Sequence, residues 1–328
     1  MTHPTFGPTP VGAAGLGSSL LDLLVRRRGQ LIAGYLTLAV AVGVAVRSID
    51  RPTVLWFLIG LIALAGAGTE RGIRRVLMDW LPVLIIAAGY DTVRAQAPEL
   101  LTRAVVQPQL RFDEIAFGGT APTVRLQRWL DVRAGHVHWW DYLAWIFYLS
   151  HFVVTVSVAA VLYFKNRALF RRLAAVVLTV SVAGFVTYFI VPAVPPWLAS
   201  RQGALPPTTR VVHDVWAHLG LPGVAKVFNG DAQLANPVAA LPSLHAAWPL
   251  LVLLVLWPAA GRRGKAALVA YNLVMCAVLV YGAEHYVSDI LLGWIYAVAG
   301  FLVWQRIWAR RAALAAAGHP LMSTSASR

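Results

Sequence analysis

The sequence predicts an all-α polytopic membrane protein with about eight transmembrane helices. Hydrophobic residues make up 59% of its 328 residues and charged residues only 13%, against roughly 25% charged residues in an average soluble domain. The mean hydropathy is +0.66. Water cannot solvate that much apolar surface, whereas a lipid bilayer can. The composition therefore excludes a soluble globular enzyme and a disordered chain.

The apolar runs define the predicted helices, although several are shorter than the ~20 residues that cross a bilayer. They cover residues 31–47, 53–69, 76–90, 142–164, 173–191, 241–260, 266–282 and 286–305. We expect residues 31–75 to form two accessory helices and residues 76–305 to form the main membrane domain. Residues 1–30 and 306–328 are predicted to be cytoplasmic tails. The first tail is predicted to be disordered, because it is rich in Gly, Pro, Thr and Ser.

The basic residues predict the orientation in the membrane. Lys and Arg total 28 against 14 Asp and Glu, which gives a net charge of +14. The basic residues concentrate in every second loop between the predicted helices, as at Arg26–Arg28 and Arg262–Lys265. Alternate loops lie on the same side of the membrane. Cytoplasmic loops carry such an excess, so both termini are predicted to be cytoplasmic, and the charge requires no nucleic-acid partner. The Ala-, Val- and Arg-rich composition favours the cytoplasmic (inner) membrane of a bacterium.

Two long loops are expected on the opposite, extracytoplasmic side. Residues 91–141 combine Trp129, Trp139 and Trp140 with several arginines, which suits a helix lying in the headgroup layer. Residues 192–240 are rich in Pro and Gly, which forbids a long helix there. This second loop is therefore predicted to form a structured cap.

Glu284, His285 and Asp289 form the first candidate group for chemistry. Ionisable side chains near a membrane span are costly, so each is a functional candidate. His285 and Asp289 are four residues apart, which places them on one face of a helix. Asp289 can accept a hydrogen bond from one imidazole nitrogen and leave the other as a nucleophile or base. The alternative is a helix-end histidine that a nearby carboxylate satisfies.

The second candidate group is Pro242-Ser243-Leu244-His245, at the start of the sixth predicted helix. Pro242 suits a first helical turn because its missing N–H costs nothing there. The N–H groups of that turn and the Ser243 hydroxyl form an anion site, with His245 beside it. The alternative is an ordinary helix cap with an interfacial histidine. Asn236, on the approach to Pro242, is a candidate for a capping or substrate contact.

The predicted topology brings both groups to one membrane face. The sixth and eighth helices run in the same direction, so His245 and His285 both lie at extracytoplasmic helix ends. Two histidines, one carboxylate and an anion-binding helix start favour phosphoryl transfer. One histidine attacks phosphorus, Asp289 orients it, and the other histidine protonates the leaving oxygen. This chemistry requires no metal and no cofactor.

The two histidine motifs together resemble the type 2 phosphatidic acid phosphatase (PAP2) superfamily. Leu244 stands where most members of the superfamily have glycine, which resembles the branch of inositol phosphorylceramide synthases and sphingomyelin synthases. The segment Tyr188–Trp197 is also similar to a segment of that branch. Further similarity lies at Asp141, Tyr148, His151, Gly118, Pro122, Leu126 and Gln127. The resemblance covers roughly residues 110–305.

The resemblance implies a six-helix membrane core within residues 76–305 and a phosphohistidine intermediate. It assigns His285 as the nucleophile, Asp289 as its orienting residue and His245 as the general acid. Water or a lipid hydroxyl then accepts the phosphoryl group. The substrate expected from this is a phospholipid, a phosphoinositol lipid, or a polyprenyl or glycolipid phosphate. Ser243, Tyr188, Asn236, His151, Asp141 and Tyr148 are the expected members of the substrate site.

The chain departs from the phosphatase branch in its cationic motifs. It lacks K-x6-R-P before Pro242, and Val278 and Leu279 stand where that branch has S-R. The synthase branch lacks the same pieces, so the departure fits that branch. It leaves the cation that binds phosphate to be found. Arg201 is the candidate, and Arg128 and Arg210 are the others.

Two other classes of function remain open at this point. A non-enzymatic lipid transporter or lipid-binding protein would use the membrane domain without phosphate chemistry. An intramembrane serine hydrolase would use Ser243 as its nucleophile and His285 as its base. The clustering of polar residues at one membrane face argues against transport, and the Pro-Ser-Leu-His context argues against a serine nucleophile. The oligomeric state is left open.

Overall fold

A computed structural model describes residues 72–220 and 236–317, together with eight isolated residues between 27 and 60. Regular structure in these ranges is helical. In chain order the helices α1 to α11 are Gly72–Ala95, Ala97–Leu101, Gln107–Ala116, Pro122–Trp129, Trp139–Lys165, Arg167–Ile190, Pro196–Arg201, Val211–His218, Leu244–Leu256, Arg262–Tyr281 and Val287–Ala317. Apart from the isolated residues, the predicted spans 31–47 and 53–69 and the tail 1–30 lie outside the described part of the chain. So do the last residues, 318–328.

The helices confirm an integral membrane protein of the all-α class. Four of them are long and apolar enough to cross a bilayer: Arg74–Ala95, Arg167–Ile190, Arg262–Tyr281 and Val287–Ala316. A fifth span is formed if the two halves of α5, which meet at 45°, count as one. The predicted count of eight is therefore not reached by the described residues.

The sixth predicted span, 241–260, forms a helix of only 13 residues, α9. Such a helix rises about 20 Å, less than the ~30 Å of a hydrocarbon core. The helix begins at Leu244, because the backbone of Leu241, Pro242 and Ser243 is not helical. α9 packs against α5, α6, α10 and α11, so it lies at the centre of the bundle.

The chain divides into two compact units, Met1–Leu84 and Ile85–Arg328. The features described below belong to the second unit. Within it, the start of α9 lies directly on α11. Gly293 of α11 makes this possible, because a Cβ atom there would lie 2.3 Å from the carbonyl oxygen of Ser243. The close approach fixes the two helix starts side by side.

Three short chain segments join above these helix starts through two isolated parallel β-bridges, Val105 to Ala193 and Ala193 to Ala239. The Ala193 N–H donates to the Val238 carbonyl at 3.0 Å, and the Ala240 N–H donates to the Ala193 carbonyl at 3.2 Å. The short helices α7 and α8 follow in the same region. The described part of the 192–240 loop is thus held in place by backbone hydrogen bonds and contains no long helix.

Candidate active site

His285 lies in the turn between α10 and α11, with its Nδ1 atom directed at two oxygen atoms. The Ala240 carbonyl oxygen is 3.0 Å away, and Oδ2 of Asp289 is 3.5 Å away. Both oxygens accept hydrogen bonds, so Nδ1 carries the proton in the neutral ring. The Nε2 atom then keeps its lone pair, as a nucleophile requires.

The second histidine faces that lone pair. His245 Nδ1 lies 3.3 Å from His285 Nε2, and the two ring centroids are 5.4 Å apart. His285 is 4% exposed and Asp289 is fully buried. The structure therefore brings together the three residues predicted to be catalytic, although 40 residues separate the two histidines in the chain.

The i, i+4 spacing predicted that His285 and Asp289 lie on one face of a helix, but His285 lies outside the helix. α11 begins only at Val287, and the preceding Ala283 has a left-handed backbone with φ of 61°. Asp289 folds back onto the helix start, where its Oδ2 accepts the Tyr286 N–H at 2.9 Å. The same oxygen is the one that faces His285, so capping of the helix brings the carboxylate to the imidazole.

Asp113, which the sequence analysis missed, completes this helix start. Its two carboxylate oxygens accept the N–H groups of Val287 at 2.9 Å and Ser288 at 3.1 Å. Asp113 is fully buried. Burial raises the pKa of its carboxyl group, and the two backbone N–H donors oppose that rise. Because it lies 174 residues before Val287, no local motif indicates this contact.

Ser243 and Tyr188 fix the other helix start. Ser243 Oγ accepts the Ala246 N–H at 3.3 Å, so the hydroxyl predicted to bind phosphate is used as the N-cap of α9. The Ser243 N–H donates to the Asp289 carbonyl at 2.9 Å. Tyr188 donates its hydroxyl hydrogen to the Pro242 carbonyl at 2.7 Å. These contacts position the backbone that carries His245.

Aromatic rings surround His245. Tyr148 stacks on it with centroids 5.1 Å apart, and the His151 ring lies 4.2 Å away. His151 in turn stacks on Trp248 at 4.8 Å. Tyr148 and His151, both predicted members of the site, therefore form one wall beside the two facing histidines.

Asp141 and Asn236, also predicted as site residues, make structural contacts instead. Asp141 Oδ2 accepts the His138 N–H at 2.7 Å at the start of α5, and its other oxygen accepts the Tyr281 hydroxyl. Asn236 Oδ1 accepts the Val238 N–H at 3.1 Å, which makes a local turn. Both residues shape the frame of the site.

The candidate cations differ in their surroundings. Arg201 and Arg128 are exposed, whereas Arg210 is 6% exposed and forms a two-pronged ion pair with Glu284. Arg210 also interacts electrostatically with the side chain of Tyr148. Burial by itself lowers the pKa of Arg210, but the Glu284 carboxylate outweighs it and raises the pKa above its ordinary value. Arg210 is therefore a buried cation.

Two histidines that face each other at adjacent helix starts are the arrangement that the PAP2 resemblance predicts. Residues 120–303, more than half of the chain, match the family profile described as the PAP2 superfamily. The chain is 32% identical over 244 residues to the phosphoinositol dihydroceramide synthase of Bacteroides thetaiotaomicron. That match covers 71% of this chain and 77% of the relative. No solved structure matches the chain.

The chain belongs to the PAP2 superfamily. It is a membrane enzyme that acts on lipid phosphates as a phosphotransferase or phosphatase. The family membership confirms the resemblance drawn from the two histidine motifs. It also sets aside the transporter alternative.

Proposed function

We propose that this enzyme transfers a phosphoinositol headgroup from a phospholipid to the hydroxyl of a ceramide-type lipid, through a phosphohistidine on His285. The observation that carries the proposal is the hydrogen bonding of His285. Its Nδ1 faces the Ala240 carbonyl at 3.0 Å, which leaves Nε2 unprotonated and 3.3 Å from His245. A nucleophile and a proton donor thus meet at one point, where a phosphorus atom would be attacked.

In the first half-reaction, the lone pair of His285 Nε2 forms the N–P bond. The bond between phosphorus and the diacylglycerol oxygen breaks, and its electron pair stays on that oxygen. His245, in its protonated form, gives a proton to the leaving oxygen. Diacylglycerol leaves as a neutral alcohol, and the phosphoinositol group remains on His285.

In the second half-reaction, the acceptor hydroxyl gives its proton to His245, and its oxygen attacks phosphorus. The N–P bond breaks and returns the lone pair to His285 Nε2. Both histidines then have their starting protonation states, so the cycle balances without another reactant. The name of the Bacteroides relative supports a lipid acceptor, as does the absence of the phosphatase motifs from the sequence.

The same proposal includes a position in the membrane. The basic loops favour cytoplasmic termini, so the starts of α9 and α11 would open to the extracytoplasmic face of a bacterial inner membrane. Donor and acceptor are both membrane lipids and would reach the site from the outer leaflet. Large exposed apolar side chains on α5, α6 and α11, such as Val161, Val186 and Ile295, are consistent with direct contact with lipid.

The test is headgroup transfer by the purified protein in lipid vesicles. Phosphatidylinositol and dihydroceramide are supplied, and the lipid products are measured by mass spectrometry. We expect a phosphoinositol lipid and diacylglycerol in equal amounts, and no product from His285→Ala. His218→Ala, which changes an exposed histidine of α8, is the matched control and retains activity. Equal activity of His285→Ala and the native enzyme would overturn the proposal, as would release of water-soluble phosphate with no new lipid.

A further inference from the structure

Two arginines lie against the indole ring of Trp197, and only one of them is buried. The Arg201 guanidinium is 5.0 Å from the ring centroid and that of Arg210 is 4.4 Å from it. Arg201 is exposed at the surface, whereas Arg210 is 6% exposed. The indole thus contacts one solvated cation and one cation inside the protein, where an electrostatic interaction is much stronger.

Glu284 holds the buried arginine in one orientation. Arg210 Nε donates to Glu284 Oε1 at 2.7 Å, and Nη2 donates to Glu284 Oε2 at 3.0 Å. The side chains of Arg210 and Glu284 are 4% and 6% exposed. A buried ion pair of this kind contributes little net stability, because the loss of hydration offsets its attraction. The stability of the fold therefore does not explain this ion pair, and we look for its role in the site.

The pair is attached to both catalytic histidines. Glu284 directly precedes His285 in the chain. Arg210 interacts electrostatically with Tyr148, whose ring stacks on His245 at 5.1 Å. The planar fork of a guanidinium matches phosphate oxygens better than any other side chain. Arg210 is therefore connected to His285 through Glu284 and to His245 through Tyr148.

We infer that Arg210 and Glu284 together form the subsite that binds the transferred phosphoryl group, and that Glu284 sets its charge to suit a phosphodiester. This inference rests on the function proposed above. The charges of Arg210 and Glu284 sum to zero, so a phosphodiester with one negative charge gives the occupied subsite a net charge of about −1. A phosphomonoester carries a charge of about −1.5 to −2 at pH 7, so it gives the subsite a larger net negative charge. Glu284 thus disfavours monoesters electrostatically while it orients Arg210 for the diester.

The experiment compares Arg210→Gln, Glu284→Gln and the double variant, with Arg133→Gln as the matched control. Arg133 forms an ion pair with Asp131 in which both side chains are largely exposed, so its loss should change transfer by less than about twofold. Transfer from phosphatidylinositol and hydrolysis of phosphatidic acid are both measured. Arg210→Gln should lower kcat/KM for transfer by about 10²-fold to 10³-fold, the usual effect of removing one preorganised donor to developing charge.

Glu284→Gln gives the specific readout. It leaves the Arg210 cation without its carboxylate, so the ratio of monoester hydrolysis to diester transfer should rise about tenfold or more. An unchanged ratio would overturn the assignment of charge selection to Glu284. A structural role of the ion pair alone does not predict a change of substrate preference.

The double variant Arg210→Gln, Glu284→Gln separates binding from folding. It replaces two buried charges with two neutral amides, so it leaves no uncompensated charge in the protein interior. We expect a folded protein, shown by its thermal transition in detergent, with transfer as low as in Arg210→Gln. Recovery of native activity would overturn the inference, because Arg210 would then serve only to neutralise Glu284.

These outcomes are distinct from failure of the proposed function. If the native enzyme transfers the headgroup and requires His285, but Arg210→Gln remains fully active, the subsite is wrong and the function stands. Loss of transfer in Arg201→Gln with native activity in Arg210→Gln would assign phosphate binding to the exposed arginine instead. If the native enzyme forms no phosphoinositol lipid, the proposed function itself fails.

Discussion

The starts of α9 and α11 each carry one of the two facing histidines, yet they are built differently. At α9 the cap is local, since Ser243 Oγ accepts the Ala246 N–H three residues on. At α11 the cap comes from two sources: Asp289 of the same helix, and Asp113, 174 residues earlier in the chain. The cap of α9 is thus supplied by its own sequence, whereas the cap of α11 is supplied partly by a distant helix.

The two histidines also differ in their position relative to the helices. His245 is the second residue of α9, whereas His285 lies two residues before α11 in a turn with a left-handed residue. A histidine in a turn depends on the surrounding protein for its position, and here Ala240 and Asp289 hold its ring. We therefore expect changes around α11 to affect activity more than changes around α9.

The largest effect is expected from Asp113→Ala. It leaves two buried N–H groups of the α11 start without acceptors, at about 1–3 kcal/mol each. The free energy of unfolding should fall by about 3 kcal/mol, and headgroup transfer should fall with it. Thermal denaturation in detergent and the transfer assay measure the two effects. Native stability of Asp113→Ala would contradict the idea that a distant helix fixes this end.

Asp289→Asn should have a smaller effect on turnover than a tautomer-setting aspartate usually has. Where a carboxylate alone sets the histidine tautomer, the change to Asn costs about 10⁴-fold in kcat. Here the Ala240 carbonyl is the nearer acceptor for Nδ1, so we expect a loss of about 10-fold to 100-fold. Steady-state kinetics on the folded variant decide the matter. A loss of about 10⁴-fold would mean that Ala240 does not hold the tautomer.

Ser243→Ala tests the local N-cap of α9. It removes one N-cap, which typically contributes about 1 kcal/mol, and Tyr188 still holds the Pro242 carbonyl. Stability should fall by that amount, and transfer should remain within a few-fold of the native rate. Complete loss of transfer in a stable Ser243→Ala protein would instead support direct participation of the hydroxyl, as in a serine hydrolase.

Ala283→Gly should have the smallest effect. Ala283 has φ of 61°, a conformation that costs a non-glycine residue about 1–2 kcal/mol. Glycine relieves that cost but loses a buried methyl group, worth about 0.8 kcal/mol, and adds about 0.5–1 kcal/mol of chain entropy. The free energy of unfolding should therefore stay within about 1 kcal/mol of the native value. A larger loss would argue against the left-handed turn before His285.

The sequence predicted what depends on local pattern and on the number of membrane crossings. Apolar runs located the long helices from residue 76 onward, although the run 241–260 forms only the 13-residue helix α9. The common direction of the sixth and eighth predicted helices predicted that His245 and His285 would lie at the same membrane face. The Ala240 carbonyl and Asp113 were missed because backbone oxygens carry no motif, and because the Asp113 contact joins distant parts of the chain. Arg201 was preferred to Arg210 because the burial of Arg210 and its ion pair with Glu284 are not visible in the sequence.

The central claim is that His285 carries the phosphoryl group, and trapping that intermediate tests it most directly. The enzyme is incubated with phosphatidylinositol labelled with ³²P, without an acceptor lipid, and is then denatured in alkali. We predict a labelled protein whose label is stable in alkali and lost in acid, as for a nitrogen–phosphorus bond. The label should map to the peptide with His285 and be absent from His285→Ala. A label that persists in His285→Ala, or that is acid-stable on Ser243, would contradict the account.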